Sequence, residues 1–333
     1  MSVRTPAVLS VALPLPLDRL FDYLPMPGES ADAGWVGCRV RVPFGPRKLV
    51  GVVIATGPAG GSTTDLRSIE ARIDPRALIP EELFANFRWL AEYYHAPLGE
   101  VIAHALPAVL RRGEPLPEAG TRFWSLTEAG RIGMTRLRAG AAPRRLAEQL
   151  TRSEQPEAAL LGNTSERAAL RSLERRGWVA FRLRAEDAGA DQPEPGPELT
   201  AAQREAGAAV AGALGSFAPF LLDGVTGSGK TEVYIAAIEA CLARGEQALV
   251  LVPEIGLTPQ ALQRYGRRLP TRVHVLHSGR TDGERARVWA AMASGEGRLV
   301  IGTRSAVFCP LPRPGLIVVD EEHDTSYKQQ EGI

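Results

Sequence analysis

The last 130 or so residues contain five short apolar runs in which hydrophobic residues are not alternated with polar ones. Such runs are typical of strands that are buried on both faces of a sheet. Amphipathic segments of helical length separate the first four runs, and right-handed crossovers between them would produce a doubly wound parallel sheet with its ligand site at the carboxyl ends of the strands. The runs are FAPFLLDGV, QALVLVPE, RVHVLHSG, RLVIGT and GLIVVDEEH.

The first run leads into the sequence GVTGSGKT, which has the GxxxxGK[ST] pattern of a phosphate-binding loop, or P-loop. Gly224, Gly227 and Gly229 would let the backbone N–H groups surround a phosphate, and Lys230 would reach the terminal phosphates. The Thr231 hydroxyl could bind magnesium. Because only three of the 39 basic residues are lysines, a chance match is rare, and the motif predicts a nucleoside triphosphate site.

Two acidic residues, Asp320 and Glu321, follow the fifth apolar run. One carboxylate could hold magnesium, and the next could orient or deprotonate an attacking water. Alone, two acids after a strand could equally be favourable residues at a helix N-terminus. Together with the P-loop, they predict nucleotide hydrolysis.

Composition indicates an ordinary globular protein, with 44% hydrophobic and 23% charged residues. Cys38, Cys241 and Cys309 are too far apart in sequence to suggest a disulfide framework or a zinc site. The apolar stretch AVLSVALPLPL is interrupted by Pro14 and Pro16 and lacks a cleavage site, which disfavours a signal peptide. No run reaches the ~20 apolar residues of a membrane span, so a cytoplasmic protein without a membrane partner is predicted.

Composition shifts divide the chain into segments. An acidic, proline-rich stretch over 186–198 predicts a linker, and a weaker boundary lies near residue 111. Before it, GCRVRVPFG alternates valines with Arg39 and Arg41, and KLVGVVIATG follows a turn, so a hairpin is predicted. Two helical patterns, PEELFANFRWLAEYYH and LGEVIAHALP, complete a small β-rich α+β domain over 1–110.

The segment 111–185 has helical patterns in PRRLAEQL and SERAALRSLERRG, followed by the strand pattern WVAFRLR. Two helices that lead into a β-wing predict a winged helix-turn-helix. The segment carries 15 basic and 8 acidic residues, a net charge of +7, which suggests a polyanionic partner. A solvated arginine face and a protein-interaction module remain alternatives.

DEEH fits the DExH box of superfamily-2 helicases, and the resemblance extends further. The segments DGVTGSGKTEVY, LVPEIGLTPQ, LHSG, IGTRSAVF and VVDEEHDTSYKQQEG resemble, in order and spacing, the PriA family of primosomal replication-restart helicases, also called primosomal protein N′. VALPLPLDRLFDYLP, GCRVRVPFG and YYHAPLGEVIAHALP are similar to the N-terminal part of the same family. The resemblance implies a 3′-end DNA-binding domain over 1–110, a winged helix over 111–185 and the first RecA-like helicase lobe, incomplete, over 199–333.

In that family the N-terminal domain captures the 3′ end of a nascent leading strand, and the matching pocket is Phe21, Asp22, Tyr23 and Gly45. An aromatic face can stack on a terminal base, and Asp22 can accept a hydrogen bond from a terminal hydroxyl. For Phe21 and Tyr23 an ordinary place in the strand core is the alternative. Arg67 stands where the family has a lysine, so the charge is kept while the contact changes.

The resemblance also assigns roles in the helicase lobe. Gln203 would read adenine, with an ordinary exposed helix glutamine as the alternative, and His323 would couple the nucleotide state to DNA. The residues implied to grip single-stranded DNA are Pro253, Glu254, Thr303 and Arg304, whereas Gly302 marks a tight turn. Tyr327 and Lys328 would begin an aromatic-rich loop that senses DNA.

By resemblance, we expect an ATP- and Mg²⁺-dependent 3′-to-5′ DNA helicase that recognises stalled or abandoned forks and initiates primosome assembly. The implied partners are fork and single-stranded DNA, primosome proteins, single-strand-binding protein, and the replicative helicase with its loader, which places the protein in the cytoplasm at the nucleoid. The family also contains paired cysteine-rich zinc motifs and a second lobe with an arginine that stabilises phosphoryl charge. The sequence ends 13 residues after Asp320 without them, so we expect this chain to bind nucleotide and DNA but to hydrolyse ATP poorly.

Two alternatives stay open at this stage. One is a non-catalytic fragment that binds fork DNA and ATP without turnover. The other is a different DExH translocase that acts on RNA, in which case the N-terminal pocket would be a coincidence. A preference for forks with a free 3′ hydroxyl would favour the PriA interpretation.

Overall fold

The structure is a computed structural model that describes residues 7–58, 65–184, 193–225 and 227–328. It divides into two compact units, one formed by residues up to 117 together with those from 189 onward, and one formed by 118–188. Part of the predicted linker (186–192), Thr226 of the P-loop and the last five residues lie outside the described residues. No helix in the described ranges is both long and apolar enough to cross a membrane.

The N-terminal sheet has five strands in the order β2-β1-β4-β3-β5, and all its pairings are antiparallel. The predicted hairpin is confirmed as β3 and β4, which pair from Phe44 opposite Arg47. Gly45 at the turn has φ +55°, a left-handed conformation that glycine adopts without strain. The strands are β1 (Ala7–Ala12), β2 (Phe21–Tyr23), β3 (Arg39–Phe44), β4 (Arg47–Pro58) and β5 (Ala71–Arg72).

Strand β1 was not predicted, because its apolar stretch was compared only with a signal peptide. It pairs with β2 on one side and β4 on the other, and its residues Leu9 and Val11 are fully buried. Arg39 of β3 is fully buried, although it alternates with valines along the strand. Its guanidinium forms hydrogen bonds with Asp74 and with main-chain carbonyls, which satisfy its donors inside the fold.

Three helices follow, and the two longer ones confirm the predicted helical patterns: α1 (Glu81–Tyr93), α2 (Leu98–Ala105) and α3 (Ala108–Arg111). Phe84 and Phe87 of α1 and Ile102 of α2 pack in one core cluster with Val52 and Ile54 of β4. The same cluster includes Trp289 and contacts Phe308 from the C-terminal part of the chain. The N-terminal sheet and the C-terminal part therefore share a continuous core.

The second unit contains the helices and the strand predicted for a winged helix-turn-helix. Its elements are β6 (Thr121–Leu126), α4 (Glu128–Gly133), α5 (Ala142–Arg152), β7 (Gln155–Pro156), α6 (Glu157–Leu160), α7 (Thr164–Arg175) and β8 (Val179–Arg184). The strands form an antiparallel sheet in the order β7-β6-β8. Trp124 of β6 packs with Leu146 of α5 and Leu173 of α7, so the wing strand and the two helices share one core.

The second unit begins at Glu118 rather than near residue 111. The intervening residues belong to the first unit because Arg39 Nη1 donates to the carbonyls of Leu110 and Glu114. Strand β6, which no sequence pattern predicted, pairs with β8 over its whole length.

The C-terminal part of the first unit contains a four-stranded parallel sheet in the order β10-β11-β9-β12. Its elements are α8 (Ala201–Ala213), α9 (Lys230–Ala243), β9 (Gln247–Leu251), α10 (Pro259–Arg268), β10 (Val273–Leu276), α11 (Asp282–Ser294), β11 (Leu299–Gly302) and β12 (Pro314–Val319). The predicted α/β class and three of its helices, α9, α10 and α11, are confirmed.

Alternate residues of the central strand β9 face different helices, as a doubly wound sheet requires. Ala248 and Val250 lie in a cluster with Ile238 of α9, whereas Leu249 lies in a second cluster with Met292 of α11. Both faces of β9 are therefore covered, and all five of its residues are buried. This burial is the reason that its sequence shows no polar alternation.

The strand predicted over FAPFLLDGV was wrong. The segment is not assigned to a strand, and Phe217, Leu221 and Val225 are 96%, 83% and 80% exposed. An apolar run becomes a strand only when a neighbour supplies ladder hydrogen bonds, and no described strand pairs with this one. Burial on both faces was also wrong for β12, an end strand of the sheet, because Ile317 and Val319 are exposed.

Candidate nucleotide and nucleic-acid site

Four parallel strands end at the same edge of the C-terminal sheet, and the candidate residues follow these strand ends directly. Pro253 and Glu254 follow β9, Thr303 and Arg304 follow β11, and the DEEH box follows β12. Glu254 Oε1 accepts a hydrogen bond of 3.0 Å from Ser278 Oγ, which lies after β10. The fold thus brings together segments that are far apart in sequence.

The P-loop leads into α9 through two glycines with left-handed backbone, Gly227 at φ +82° and Gly229 at φ +85°. Lys230 Nζ donates a hydrogen bond of 2.8 Å to the Gly224 carbonyl and lies 3.6 Å from Glu321 Oε1. The P-loop ammonium and a carboxylate of the DEEH box therefore lie next to each other, as the sequence predicts for one nucleotide site.

The groups in this site fit a triphosphate with magnesium. A Cβ at Gly229 would lie 2.4 Å from Gln203 Nε2, so the loop can follow this path only with glycine. The Thr231 hydroxyl and the Asp320 carboxylate are oxygen donors of the kind that Mg²⁺ prefers, and Mg²⁺ usually takes one or two protein ligands with phosphate and water. Among the described residues, no group of three or more His, Cys, Asp or Glu side chains could hold a metal ion.

Gln203 lies beside the P-loop, but its amide is engaged by the protein. Its Oε1 accepts from the Thr200 N–H in a capping box at the start of α8, and its Nε2 donates 3.0 Å to the Ser228 carbonyl. The side chain therefore links α8 to the loop, and recognition of adenine by Gln203 stays a prediction.

Two tyrosine hydroxyls hold Asp320. Tyr234 Oη donates 3.1 Å to Asp320 Oδ1, and Tyr327 Oη donates 2.8 Å to the Asp320 carbonyl. Burial is the main cause that raises the pKa of Tyr234, and the negative charge of Asp320 raises it further. The same two causes raise the pKa of Tyr327 to about 12. Both hydroxyls therefore stay protonated donors near neutral pH.

Sequence reasoning missed Tyr234, although a signal was present. Tyr234 stands four residues after Lys230 on the same helix, and residues at this spacing share one helix face. The side chains of Lys230 and Tyr234 therefore both reach the residues that follow β12. Tyr327 was assigned to a DNA-sensing loop, and its hydroxyl connects the start of that loop to Asp320.

We expect Tyr234→Phe to weaken the use of magnesium in nucleotide binding. Without the hydroxyl, the Asp320 carboxylate loses the hydrogen bond that orients it. A hydrogen bond to a charged group contributes roughly 1.5–3 kcal/mol, which corresponds to a change of about tenfold or more in a binding constant. The concentration of Mg²⁺ required for half-maximal nucleotide binding should rise by about that factor. Titration of nucleotide binding at a series of Mg²⁺ concentrations measures it.

Tyr265→Phe is the matched control, because Tyr265 is buried nearby on α10 and no hydrogen bond joins its hydroxyl to Asp320. Its magnesium dependence should match that of the unchanged protein. An unchanged dependence in Tyr234→Phe would show that this hydroxyl does not position Asp320.

A buried carboxylate connects the P-loop helix to the helix that follows the Glu254 segment. Glu232, in the first turn of α9, is 3% exposed and accepts hydrogen bonds of 2.6 Å from Arg264 and 2.7 Å from Arg268 of α10. Burial by itself would raise the pKa of Glu232, but hydrogen bonds from Arg268 and Arg264 outweigh it and lower the pKa. This linkage was also missed, because nothing in the sequence pairs Glu232 with arginines so far along the chain.

The other assigned residues of the lobe differ in exposure. Thr303 is 8% exposed, and its N–H donates to the Leu276 carbonyl. Arg304 and Lys328 are exposed, and the side chain of neither forms a hydrogen bond or ion pair with a described residue. His323 is exposed and lies with its Nε2 3.5 Å from Glu321 Oε2, so it is placed to sense changes at that carboxylate.

The N-terminal candidate pocket lies where a residue of β2 contacts a residue of β3. The Phe21 ring packs edge-on against Phe44 at 5.4 Å between centroids, and the Arg19 guanidinium lies 4.6 Å from the Phe21 centroid. Asp22 is exposed and accepts 2.7 Å from Ser10 Oγ. Phe44 and Arg19 were not predicted, although Phe44 directly precedes the assigned Gly45.

Tyr23 and Arg67 complete this corner of the sheet. Tyr23 is 6% exposed and donates 3.1 Å to the Pro43 carbonyl, so its ring lies in the strand core. The Arg67 carbonyl accepts from the Leu24 N–H, and the positive charge of Arg67 partly offsets the rise that burial causes in the pKa of Tyr23. The structure thus brings together the assigned residues, with Phe21 and Asp22 more accessible than Tyr23.

The parallel sheet, the P-loop and the DEEH box define the C-terminal part as a DEAD/DEAH box helicase domain, and the family model with that description matches residues 200–333. A second family model, the 3′DNA-binding domain of PriA, matches residues 10–107. The chain belongs to the PriA family of replication restart proteins and corresponds to their N-terminal part.

Similar proteins bear the name replication restart protein PriA. The Haemophilus influenzae protein is 39% identical over 337 residues, which cover 97% of this chain and 45% of that protein. The Bacillus subtilis protein is 32% identical over 390 residues, and the Treponema pallidum protein is 32% identical over 325 residues. These matches cover 95% and 96% of this chain and 48% and 39% of the relatives, so the chain spans less than half the length of each.

Proposed function

We propose that this chain is the fork-recognising and ATP-binding part of an ATP-dependent 3′-to-5′ DNA helicase that initiates primosome assembly for replication restart. The observation that carries the proposal is the contact between Lys230 of the P-loop and Glu321 of the DEEH box at 3.6 Å, at the carboxyl edge of a parallel sheet. The names of the similar proteins and the 3′DNA-binding family model support the restart role.

In the proposed mechanism, Lys230 binds the terminal phosphates of ATP, and the N–H groups of the glycine loop bind their oxygens. Thr231 and Asp320 would hold Mg²⁺, which supplies charge neutralisation at the phosphates. Glu321 accepts a proton from, or orients, the attacking water. Tyr234 keeps Asp320 in one orientation through its hydrogen bond.

Nucleotide and DNA would be coupled through the shared sheet edge. Glu254, Thr303 and Arg304 follow strands next to the DEEH box, and we assign them to the backbone of single-stranded DNA. Exposed Arg304 supplies positive charge toward phosphate. His323, 3.5 Å from Glu321, transmits the state of the nucleotide to Tyr327 and Lys328.

At the N-terminal sheet, Phe21 would stack on the terminal base while Asp22 accepts a hydrogen bond from the 3′ hydroxyl. Gly45, with no atom within 4 Å of a Cβ placed on it, leaves open space beside the Phe21–Phe44 pair. The proposal includes a 3′-end DNA-binding region over 1–110, a winged-helix region over 111–185, of which the residues from Glu118 onward lie in the second compact unit, a linker over 186–198 and a helicase lobe over 199–333. It also includes primosome proteins, single-strand-binding protein and the replicative helicase with its loader as partners.

We expect forks with a free 3′ hydroxyl at the leading-strand end to bind about tenfold or more tightly than forks ending in a 3′-deoxy nucleotide. The estimate follows from a hydrogen bond to a carboxylate, which contributes roughly 1.5–3 kcal/mol. Asp22→Ala should bind both forks equally, because it removes the acceptor. Fluorescence anisotropy with the two forks measures the ratio.

Asp18→Ala is the matched control, since Asp18 is also an exposed carboxylate near the same strand. It should keep the preference for the hydroxyl. Equal binding of the two forks by the unchanged protein would contradict recognition of the 3′ end and would favour a DExH translocase acting on other nucleic acids.

A further inference from the structure

The indole of Trp289 on α11 is buried without a hydrogen-bond partner. Trp289 is 3% exposed, and its Nε1 is the one buried side-chain nitrogen or oxygen in the described ranges that no protein group pairs with. A buried tryptophan N–H usually finds an acceptor, and a donor left without one destabilises the folded state. This N–H is therefore available to an acceptor that comes from outside the chain.

Trp289 lines a small cavity, which we call the α11 cavity. Its apolar walls include Ala105 of α2, Leu276 of β10 and Phe308. The cavity has a volume of about 10 Å³, close to the minimum that holds one water-sized group. The Leu276 carbonyl already accepts a hydrogen bond from the Thr303 N–H. The cavity thus has room for a single small acceptor atom beside largely apolar walls.

Two polar residues, Arg285 and Ser305, also line the α11 cavity. Arg285 stands four residues before Trp289, and this spacing places the two side chains on one face of α11. Arg285 is half-buried and Ser305 is exposed, and neither side chain forms a hydrogen bond or an ion pair with a described residue. The cavity therefore combines one buried donor with a guanidinium and a hydroxyl that the protein does not use.

The carboxylates of α11 do not neutralise Arg285. Asp282 lies 3.7 Å from Arg112 Nη1. Glu284 accepts hydrogen bonds from Thr281 in the capping box at the start of the helix. None of the described residues that line the cavity is acidic. A half-buried guanidinium is screened less by solvent than an exposed one, so this charge attracts an anion.

The chemistry of these groups selects the ligand. The Trp289 N–H and the Arg285 guanidinium can only donate hydrogen bonds, and the Ser305 hydroxyl can also donate. The guanidinium repels a cation, and a single water would leave its charge unpaired. A phosphate group carries negative charge on several acceptor oxygens, and its geometry matches the guanidinium fork. One of its oxygens has the size of the group that the cavity can hold.

We propose that the α11 cavity binds a phosphate group. One phosphate oxygen enters the cavity and accepts from the Trp289 N–H, while Arg285 and Ser305 donate to the other oxygens. The source we assign is the backbone of single-stranded DNA, because Ser305 directly follows Arg304, which the proposed function places on that backbone. This source rests on the proposed function, whereas phosphate binding by the cavity does not. Free inorganic phosphate presents the same chemistry.

The proton–nitrogen NMR signal of the Trp289 indole reports directly on the proposed hydrogen bond. It is assigned by its absence from the spectrum of Trp289→Phe. Inorganic phosphate should move it downfield, and so should a thymidine oligonucleotide that ends in a 3′-deoxy nucleotide and lacks the hydroxyl assigned to Asp22. The oligonucleotide should saturate the shift at the lower concentration. The Trp35 indole, which donates to the Ser30 carbonyl, should not move.

Arg285→Ala should weaken binding of the same oligonucleotide by about tenfold or more, because it removes a charged hydrogen bond to phosphate. In a plot of the logarithm of affinity against the logarithm of salt concentration, it should also reduce the slope by roughly 0.7, the share of one phosphate on a single strand. Arg287→Ala is the matched control, since Arg287 is an exposed arginine of the same helix that does not line the cavity. It should keep most of the affinity and slope, and both variants should keep their ATP affinity.

A Trp289 signal that neither phosphate source moves would overturn the proposal. Movement by inorganic phosphate alone would support the phosphate site and assign it to free phosphate, whereas movement by polyglutamate alone would overturn it in favour of a protein carboxylate. Equal losses in Arg285→Ala and Arg287→Ala would overturn DNA as the source, because net charge alone would then explain binding. If the unchanged chain does not bind the oligonucleotide at all, the proposed single-strand function fails, and inorganic phosphate still decides whether the cavity binds phosphate.

Discussion

Arg39→Ala should reduce the free energy of unfolding of the N-terminal sheet by about 3–5 kcal/mol, the range found when one partner of a buried ion pair is removed. Arg39 is fully buried and Asp74 is 5% exposed. Its Nη2 lies 2.6 Å from Asp74 Oδ1 and its Nε 2.8 Å from Oδ2, while Nη1 serves the Leu110 and Glu114 carbonyls. Alanine would leave a carboxylate and two carbonyls in the interior without these donors.

Hydrogen exchange of the β3 and β4 amides measures this effect at the affected sheet. Lys48→Ala is the matched control, because Lys48 pairs with Glu70 at 2.9 Å while 68% of its side chain is exposed, and exposed pairs contribute about 0–1 kcal/mol. The double variant R39M/D74L should recover much of the loss, since an apolar pair leaves no buried charge. Exchange in Arg39→Ala that matches the unchanged protein would contradict the structural role.

Lys230→Ala should weaken ATP binding by about tenfold or more, because a hydrogen bond to a charged group contributes roughly 1.5–3 kcal/mol. The loss has two sources in this site. The phosphates lose the ammonium that would bind them, and Glu321, 3.6 Å from that ammonium, is left facing them as an unneutralised like charge. Titration with a fluorescent ATP analogue in the presence of Mg²⁺ measures the change.

Lys328→Ala provides a control with the same substitution at an exposed lysine near the DEEH box, and its ATP affinity should not change. Unaltered ATP affinity in Lys230→Ala would remove the basis for a motor function.

Much of the fold could be predicted where local pattern and burial agree. The β3–β4 hairpin, the helices α1, α2, α5, α7 and α9–α11, and the central parallel strands all have a periodicity that their packing preserves. The two groups that define the nucleotide site, Lys230 and the DEEH carboxylates, were also predicted. The DEEH carboxylates follow β12, and Lys230 begins α9, the helix that leads into the neighbouring parallel strand β9. Both groups therefore lie at the carboxyl edge of the sheet.

The failures have a different origin. Residues 217–225 are as apolar as a buried strand, but strand formation depends on a neighbour that sequence does not specify. Arg39 alternates like a surface residue, yet Asp74 and two carbonyls make its burial possible. Strands β1 and β6 pair along their whole length with β4 and β8, which are far along the chain, so no local pattern signals these pairings.

The sequence by itself determined the chemistry of this protein: a P-loop, a DEEH box, the resemblance to PriA and an excess of positive charge in the middle segment. Only the tertiary structure decided which groups act on one another, including Tyr234 on Asp320 and Glu232 between two helices. The physical reason is that motif chemistry depends on residue type and local spacing. Hydrogen bonds, ion pairs and burial instead depend on distances that the chain sets only when it is folded.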